Sequence, residues 1–203
     1  MWFIASNIWE KLEQLDKQLF IKINSDWTNS FFDAIMPWLR NSTTWAPLYL
    51  FIGVFVVLNF KVKGLWWAVF FLATVALTDM TGTYIFKHNF LRMRPCSDPD
   101  FMIHVRLLLN QCAGGTSFTS NHAANHFGMA AFFAVSLRHV LKKWVWLGVF
   151  WAAAISYSQV YVGVHYPTDV FSGALLGLAF GIATGNLFNK QFRFTIFDNQ
   201  PAA

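Results

Sequence analysis

Residues 158–169 read SQVYVGVHYPTD and link two long apolar runs, 144–161 and 168–188. Pro167 suits the first turn of a helix, where its missing N–H would go unpaired anyway. The stretch therefore reads as a tight polar turn between two helices. A spanning helix needs about 20 mostly apolar residues. Three further runs approach that length, at 44–60 (a little short), 64–86 (interrupted by Asp79) and 120–140. The pattern predicts an all-α, polytopic membrane helix bundle with about five spanning helices.

Composition agrees. Of 203 residues, 56% are hydrophobic, 19% aromatic and only 12% charged, against about 25% charged in a soluble domain. The net charge of +5 comes from Lys and Arg scattered between apolar runs rather than gathered on one polar face, so no nucleic-acid partner is expected. Ten tryptophans, many at the edges of these runs, suit interfacial belts. Residues 1–8 are followed by Glu10 and Lys11 without a small-residue cleavage site, so the first span is expected to act as its own insertion signal.

The chain reads as a single domain, 1–203, with an amphipathic N-terminal region (1–43), a five-span core (44–188) and a cytoplasmic tail (189–203). Near the N-terminus Ile8, Trp9, Leu12, Leu15, Leu19, Phe20 and Ile23 recur at helical spacing, with Glu10, Glu13, Asp16 and Lys17 between them. Trp27, Phe31, Phe32, Ile35, Trp38 and Leu39 repeat the pattern. Two amphipathic helices are expected, lying in the interface or packed on the bundle.

Short turns carry Lys61 and Lys63, then Arg138, Lys142 and Lys143, and the tail carries Lys190 and Arg193. Basic residues in short connections place that face in the cytoplasm. The N-terminal region, the loop 87–119 and the turn at His165 then face outward. Cys96 and Cys112 both lie in that loop, as a disulfide or as two free thiols.

Three polar clusters collect at span ends on the outer face: KHNFLRMRP (87–95), TSNH (119–122) and the opening stretch. Ionisable residues beside a span are costly and point to function. Lys87, Arg92 and Arg94 supply cations, and guanidinium forks match phosphate oxygens. Thr119 or Ser120 caps one helix and Pro167 opens another, so two positive helix ends face one site. His165 lies four residues before Asp169, a spacing that lets the carboxylate orient the ring for attack on phosphorus. His122 is placed to protonate the leaving group. His126 and Asp79 read as packing or polar contacts inside the bundle.

These residues resemble the type 2 phosphatidic acid phosphatase (PAP2) superfamily of integral membrane lipid phosphatases, whose signature is KX6RP, then PSGH, then SRX5HX3D. Lys87, Arg94 and Pro95 match the first part, Ser120 and His122 half of the second, and Ser158, His165 and Asp169 the third. The resemblance implies His165 as nucleophile through a phosphohistidine, Asp169 as its partner, His122 as general acid, and Lys87, Arg94 and Ser120 as phosphate ligands. It implies catalysis with no metal and no cofactor. The substrate would be a lipid phosphate monoester or diphosphate (undecaprenyl diphosphate, phosphatidylglycerophosphate, phosphatidate or a lipid A phosphate) at the outer face of a bacterial cytoplasmic membrane. Alternatives are a lipid phosphotransferase and a weakly active lipid-phosphate binding protein.

Three positions depart from the signature. Gln159 stands where the pattern has Arg, and losing that cation is worth a few kcal/mol of charge stabilisation, by analogy with one transition-state donor. Arg92, if it points inward, is the residue to compensate, and Gln159→Arg is expected to raise activity if charge is limiting. Thr119 replaces Pro, and Asn121 replaces a Gly that would permit close approach to phosphate. Asn121 and Gln159 are therefore counted as phosphate-binding through their amides.

Overall fold

Lys61 takes up φ 51°, ψ −123° in the middle of α3, Ala46–Met80, and divides it into two arms, 46–60 and 62–80. The arms fold back on each other. A Cβ on Gly64 would lie 2.8 Å from Val57 Cα, whereas seven residues of straight helix would hold these positions about 10 Å apart. The hairpin thus supplies the first two spans, and the π-helical segment Thr81–Lys87 extends the second arm. The computed structural model that gives this fold describes residues 2–194.

The other spans follow in order. They are α4, Asn121–Leu141, α5, Trp146–Tyr161, and α6, Pro167–Phe192. Lys142 repeats the Lys61 backbone, φ 50°, ψ −123°, and turns α4 towards α5. Ahead of the hairpin lie α1, Trp2–Ile21, a π-helical turn Lys22–Asp26, and α2, Ser30–Leu39. Asn29 caps α2 by accepting from Phe32 N–H at 2.9 Å. The described residues contain no strand. The fifth span runs four residues past its expected end, and residues 195–203 of the expected tail lie outside the described residues.

The outside of the bundle is apolar. Leu50, Leu58, Leu72, Phe150 and Phe171 each expose well over half their surface. Such a surface suits hydrocarbon, in which every backbone group must bond within its own helix.

The tightest contact in the bundle is between α4 and α6, and glycines make it. Gly173, Gly177, Gly181 and Gly185 repeat every fourth residue along one face of α6. A Cβ on Gly177 would fall on the Ala124 carbonyl oxygen and 2.7 Å from Gly128 N. One on Gly181 would lie 2.7 Å from Ala131 Cβ, and one on Gly185 2.8 Å from Val135 Cβ. Small residues at this spacing let two backbones approach without intervening side chains. Thr74 and Thr184 (2.7 Å) and Trp67 and Ser136 (2.8 Å) add hydrogen bonds between spans.

A core of Phe20, Ile23, Met36, Phe101, Tyr161 and Tyr166 joins α1, α2, the outer loop and the α5–α6 turn. The opposite end is closed by Val56, Trp67, Phe132, Phe188 and Phe194. Of the two settings expected of α1, packing on the bundle is found. Leu12, Leu15 and Leu19 stay exposed, while Asp16 and Phe20 are buried against the bundle. Asn24, fully buried, donates to the Tyr161 and Arg106 carbonyls (2.8 and 2.9 Å), fixing the N-terminal region to α5 and the loop. Of the two states open to the cysteines the bridge is found: Cys96 and Cys112 form a disulfide, with Cα atoms 5.8 Å apart.

Candidate active site

The glycine contact sets the N-termini of α4 and α6 side by side. Ser120 caps α4, accepting from Ala123 N–H at 3.4 Å, while its own N–H donates to the Asp169 carbonyl at 3.1 Å. Asp169 lies in the first turn of α6, and its Oδ2 accepts from the Tyr166 N–H (2.9 Å) and the Ser117 hydroxyl (2.5 Å). His165 precedes the helix. Its Nδ1 lies 3.4 Å from Ser117 Oγ and 3.7 Å from Asp169 Oδ2. Its Nε2 lies 2.9 Å from Arg94 Nη1.

The hydrogen-bond inventory assigns the tautomer. A guanidinium only donates, so Nε2 must present its lone pair to Arg94 and the ring proton sits on Nδ1. Ser117 gives its own proton to Asp169 and turns a lone pair to Nδ1. The serine hydroxyl thus lies between the histidine and the carboxylate that orients it. Burial pushes the imidazole down to about 4, with the Asp169 carboxylate opposing the shift. His165 is therefore neutral near pH 7, with Nε2 as a free base.

Arg94 is fixed from several sides. Its Nε donates to the Gly114 and Gly115 carbonyls (3.3 Å each), and Nη1 also donates to the Val164 carbonyl (3.1 Å). Lys87 ends the π-helical segment within electrostatic range of Arg94, Asp79 and Asp169, and its ammonium closes no ion pair among the described residues. His122 sits in the first turn of α4, within electrostatic range of His165, Lys87 and Arg40. His126 has the packing role expected. Its Nδ1 donates to the His122 carbonyl (2.7 Å), Nε2 meets the Tyr49 hydroxyl (3.0 Å), and the ring packs on Trp151. His165, Asp169, His122, Lys87, Arg94 and Ser120 are thus brought together.

Three residues counted as phosphate-binding have other partners. Arg92 donates to Asp16 (2.6 Å), Thr168 (2.7 Å) and Asp169 Oδ1 (2.8 Å), and its guanidinium lies 4.0 Å over the Tyr166 ring. It braces the carboxylate behind His165 instead of reaching towards a phosphate. The Asn121 amide donates to Thr83 (2.8 Å) and Asp79 (3.0 Å). Its Oδ1 presses on Gly82, where a Cβ would be only 2.5 Å away. Asn121 therefore ties α4 to the second arm, with Asp79 as the polar contact inside the bundle. Gln159 accepts from Arg40 Nε at 3.3 Å, and its Nε2 is buried without an acceptor. Ser158 bonds within its own helix, to the Ile155 carbonyl at 2.6 Å.

Four residues of the site have no counterpart in the sequence reading: Ser117, Asp16, Thr168 and Arg40. Asp16 read only as one of the polar residues between the apolar positions of the first amphipathic helix, and the remaining three carry no spacing signal.

Known proteins bear on this geometry. The chain matches the PAP2 superfamily over residues 64–193. It is 31% identical over 171 residues to a lipid A 4'-phosphatase of Bacteroides thetaiotaomicron, covering 83% of this chain and 74% of that protein. A lipid A 4'-phosphatase of Porphyromonas gingivalis is 28% identical over 177 residues, covering 85% and 72%. The crystal structure of a transmembrane PAP2-type phosphatidylglycerolphosphate phosphatase from Bacillus subtilis superimposes with a TM-score of 0.64 at 23% identity, over 91% of this chain and 90% of that one. That of Aquifex aeolicus LpxE gives 0.57 at 26% identity, over 82% and 92%. Signature residues, relatives and the membrane-spanning fold agree, and the chain belongs to the PAP2 superfamily.

Proposed function

We propose that the protein hydrolyses a phosphate monoester on a membrane lipid, with His165 as nucleophile. The observation that carries the reading is the setting of His165. It is a buried neutral imidazole with its Nδ1 side on Ser117 and Asp169 and its Nε2 lone pair facing Arg94.

The substrate phosphate takes the Arg94 guanidinium from Nε2, which frees the lone pair. Nε2 attacks phosphorus, a P–N bond forms, and the P–O bond to the lipid breaks. Protonated His122 gives its proton to the departing lipid oxygen. Water then attacks the phosphohistidine, His122 takes a proton from it, and the P–N bond breaks to release inorganic phosphate and restore His165. Lys87, Arg94 and the N–H groups at the α4 terminus hold the phosphoryl oxygens as charge develops.

The lipid A 4'-phosphatases matched over most of the chain favour a lipid A-type sugar phosphate as first substrate to test. Undecaprenyl diphosphate and phosphatidylglycerophosphate come next, as substrates named for relatives matched over less of the chain or at lower similarity. The site faces the exterior side of the cytoplasmic membrane. The Cys96–Cys112 bridge beside it suits an oxidising compartment, and the basic turns at Lys61 and Lys142 close the far end of the bundle.

The test is phosphate release by purified protein in detergent from a panel of these lipids, with a chelator present and His165→Ala as control. Release equal to that of His165→Ala refutes the phosphatase reading. It would favour lipid-phosphate binding, the second reading that Gln159 supports. Loss of the lipid phosphate only with an added acceptor, the phosphoryl group then found on that acceptor, would make the protein a phosphotransferase.

A further inference from the structure

Arg40 ends α2, far from the signature in sequence, yet its side chain reaches α5 and donates from Nε to Gln159 Oε1 at 3.3 Å. The two Nη groups make no hydrogen bond among the described residues, and no carboxylate pairs with them. Burial alone lowers this guanidinium from its ordinary value, with no carboxylate opposing it, and an arginine keeps its charge under such a shift. Arg40 also lies within electrostatic range of Arg94 and His122.

Gln159 adds a second, independent sign of a missing ligand. The residue is fully buried and its Nε2 has no acceptor. Its backbone carbonyl receives the N–H of His165 (3.3 Å), which ties the two residues through the main chain. A cavity of 540 Å³ runs along Arg40, bounded by Leu109, Asn110, Gln111 and Ala113. An unpaired cation that lines this opening thus lies within electrostatic range of Arg94 and is hydrogen-bonded to a residue with an unused donor. One anion with several acceptor oxygens satisfies them together.

We propose that Arg40 is a phosphate ligand, delivered from the N-terminal region to supply the positive charge that Gln159 lacks. The proposal rests on the phosphatase reading and assigns the charge for that same site. Gln159 has two tasks in it. Its Oε1 orients Arg40, and its Nε2 donates to the bound phosphate. An arginine at position 159 would instead set two guanidinium groups against each other.

The experiment measures two quantities on intact protein in detergent: inorganic phosphate affinity by competition, and kcat/KM for phosphate release from the best lipid of the panel. Arg40→Met keeps the apolar stem and removes the charge. It is expected to weaken phosphate binding about tenfold or more and to lower kcat/KM about 100-fold. Adding Gln159→Arg to Arg40→Met is expected to recover most of both losses, whereas Gln159→Arg alone gains nothing. Unchanged phosphate affinity in Arg40→Met overturns the proposal. A loss that Gln159→Arg fails to repair overturns the assignment of the charge to this position. If wild type releases no phosphate above His165→Ala, the phosphatase reading fails, and the inorganic phosphate affinities still decide the role of Arg40.

Discussion

Asp16 offers a direct measure of how firmly α1 is fastened to the α5–α6 turn. Its buried carboxylate accepts from Thr168 N–H (2.9 Å), Thr168 Oγ1 (2.6 Å) and Arg92 Nη2 (2.6 Å). In Asp16→Asn the amide oxygen keeps the Thr168 N–H, while an NH2 group now meets two other donors. Two charge-assisted bonds are lost, each worth about 1.5–3 kcal/mol. Arg92 is 27% exposed and recovers part of this from water. The net loss comes to about 3 kcal/mol, which corresponds to a Tm about 6–12 °C lower for a chain of this length. The assay is thermal unfolding in one detergent, followed by tryptophan fluorescence. Glu13→Gln is the control, because its pair with Lys17 at 2.8 Å is largely exposed and worth under about 1 kcal/mol. If Asp16→Asn unfolds within about 2 °C of wild type, the carboxylate is not the fastening described and the reasoning fails.

Gly177→Ala places a methyl against the backbone of Ala124 and Gly128. It should cost about 1–3 kcal/mol in thermal unfolding and lower phosphate release as Ser120 and Asp169 are forced apart. Removing the Cys96–Cys112 bridge, which joins residues 16 apart, should cost about 3 kcal/mol. That loss is read by unfolding Cys96→Ser/Cys112→Ser beside wild type, with and without reductant. The His165 ring should stay neutral from pH 8 down to pH 5 and protonate only near 4, against about 6.5 for free histidine. Its folded value lies below its unfolded one, so its contribution to stability is complete above about 6.5 and is lost as pH falls towards 4. NMR of histidine-labelled protein reads this directly, and a His165 titration near 6.5 would reject the burial argument.

The spans were legible because each is a long apolar run with a lysine-bearing or proline-bearing end. The candidate site was legible because Lys87, Arg94, Ser120, His122, His165 and Asp169 keep fixed spacings at those ends. Reach is what the sequence does not carry. Arg92 is two residues from Arg94, yet it turns to Asp16 and Asp169, because only the fold decides which carboxylates lie beneath it. Asp16 looks like any acid on an amphipathic stripe until α1 is docked with that face inward. Ser117 is one of several loop serines and threonines, and Arg40 precedes the first span. The glycine repeat on α6, four glycines at a spacing of four, played no part in the sequence reading, yet it is the feature from which close packing of α4 on α6 follows.

That repeat has a consequence for how the pocket changes with substitution. The gap between the N-termini of α4 and α6 is gauged by main chain against main chain, with no side chain acting as spacer. The α6 glycines abut Ser120, Ala124, Gly128 and Ala131 rather than Thr119, Asn121 or Gln159, so departures from the signature at those three positions leave the gap unaltered. The glycines act as a fixed caliper for the two helix ends, whatever side chains surround them.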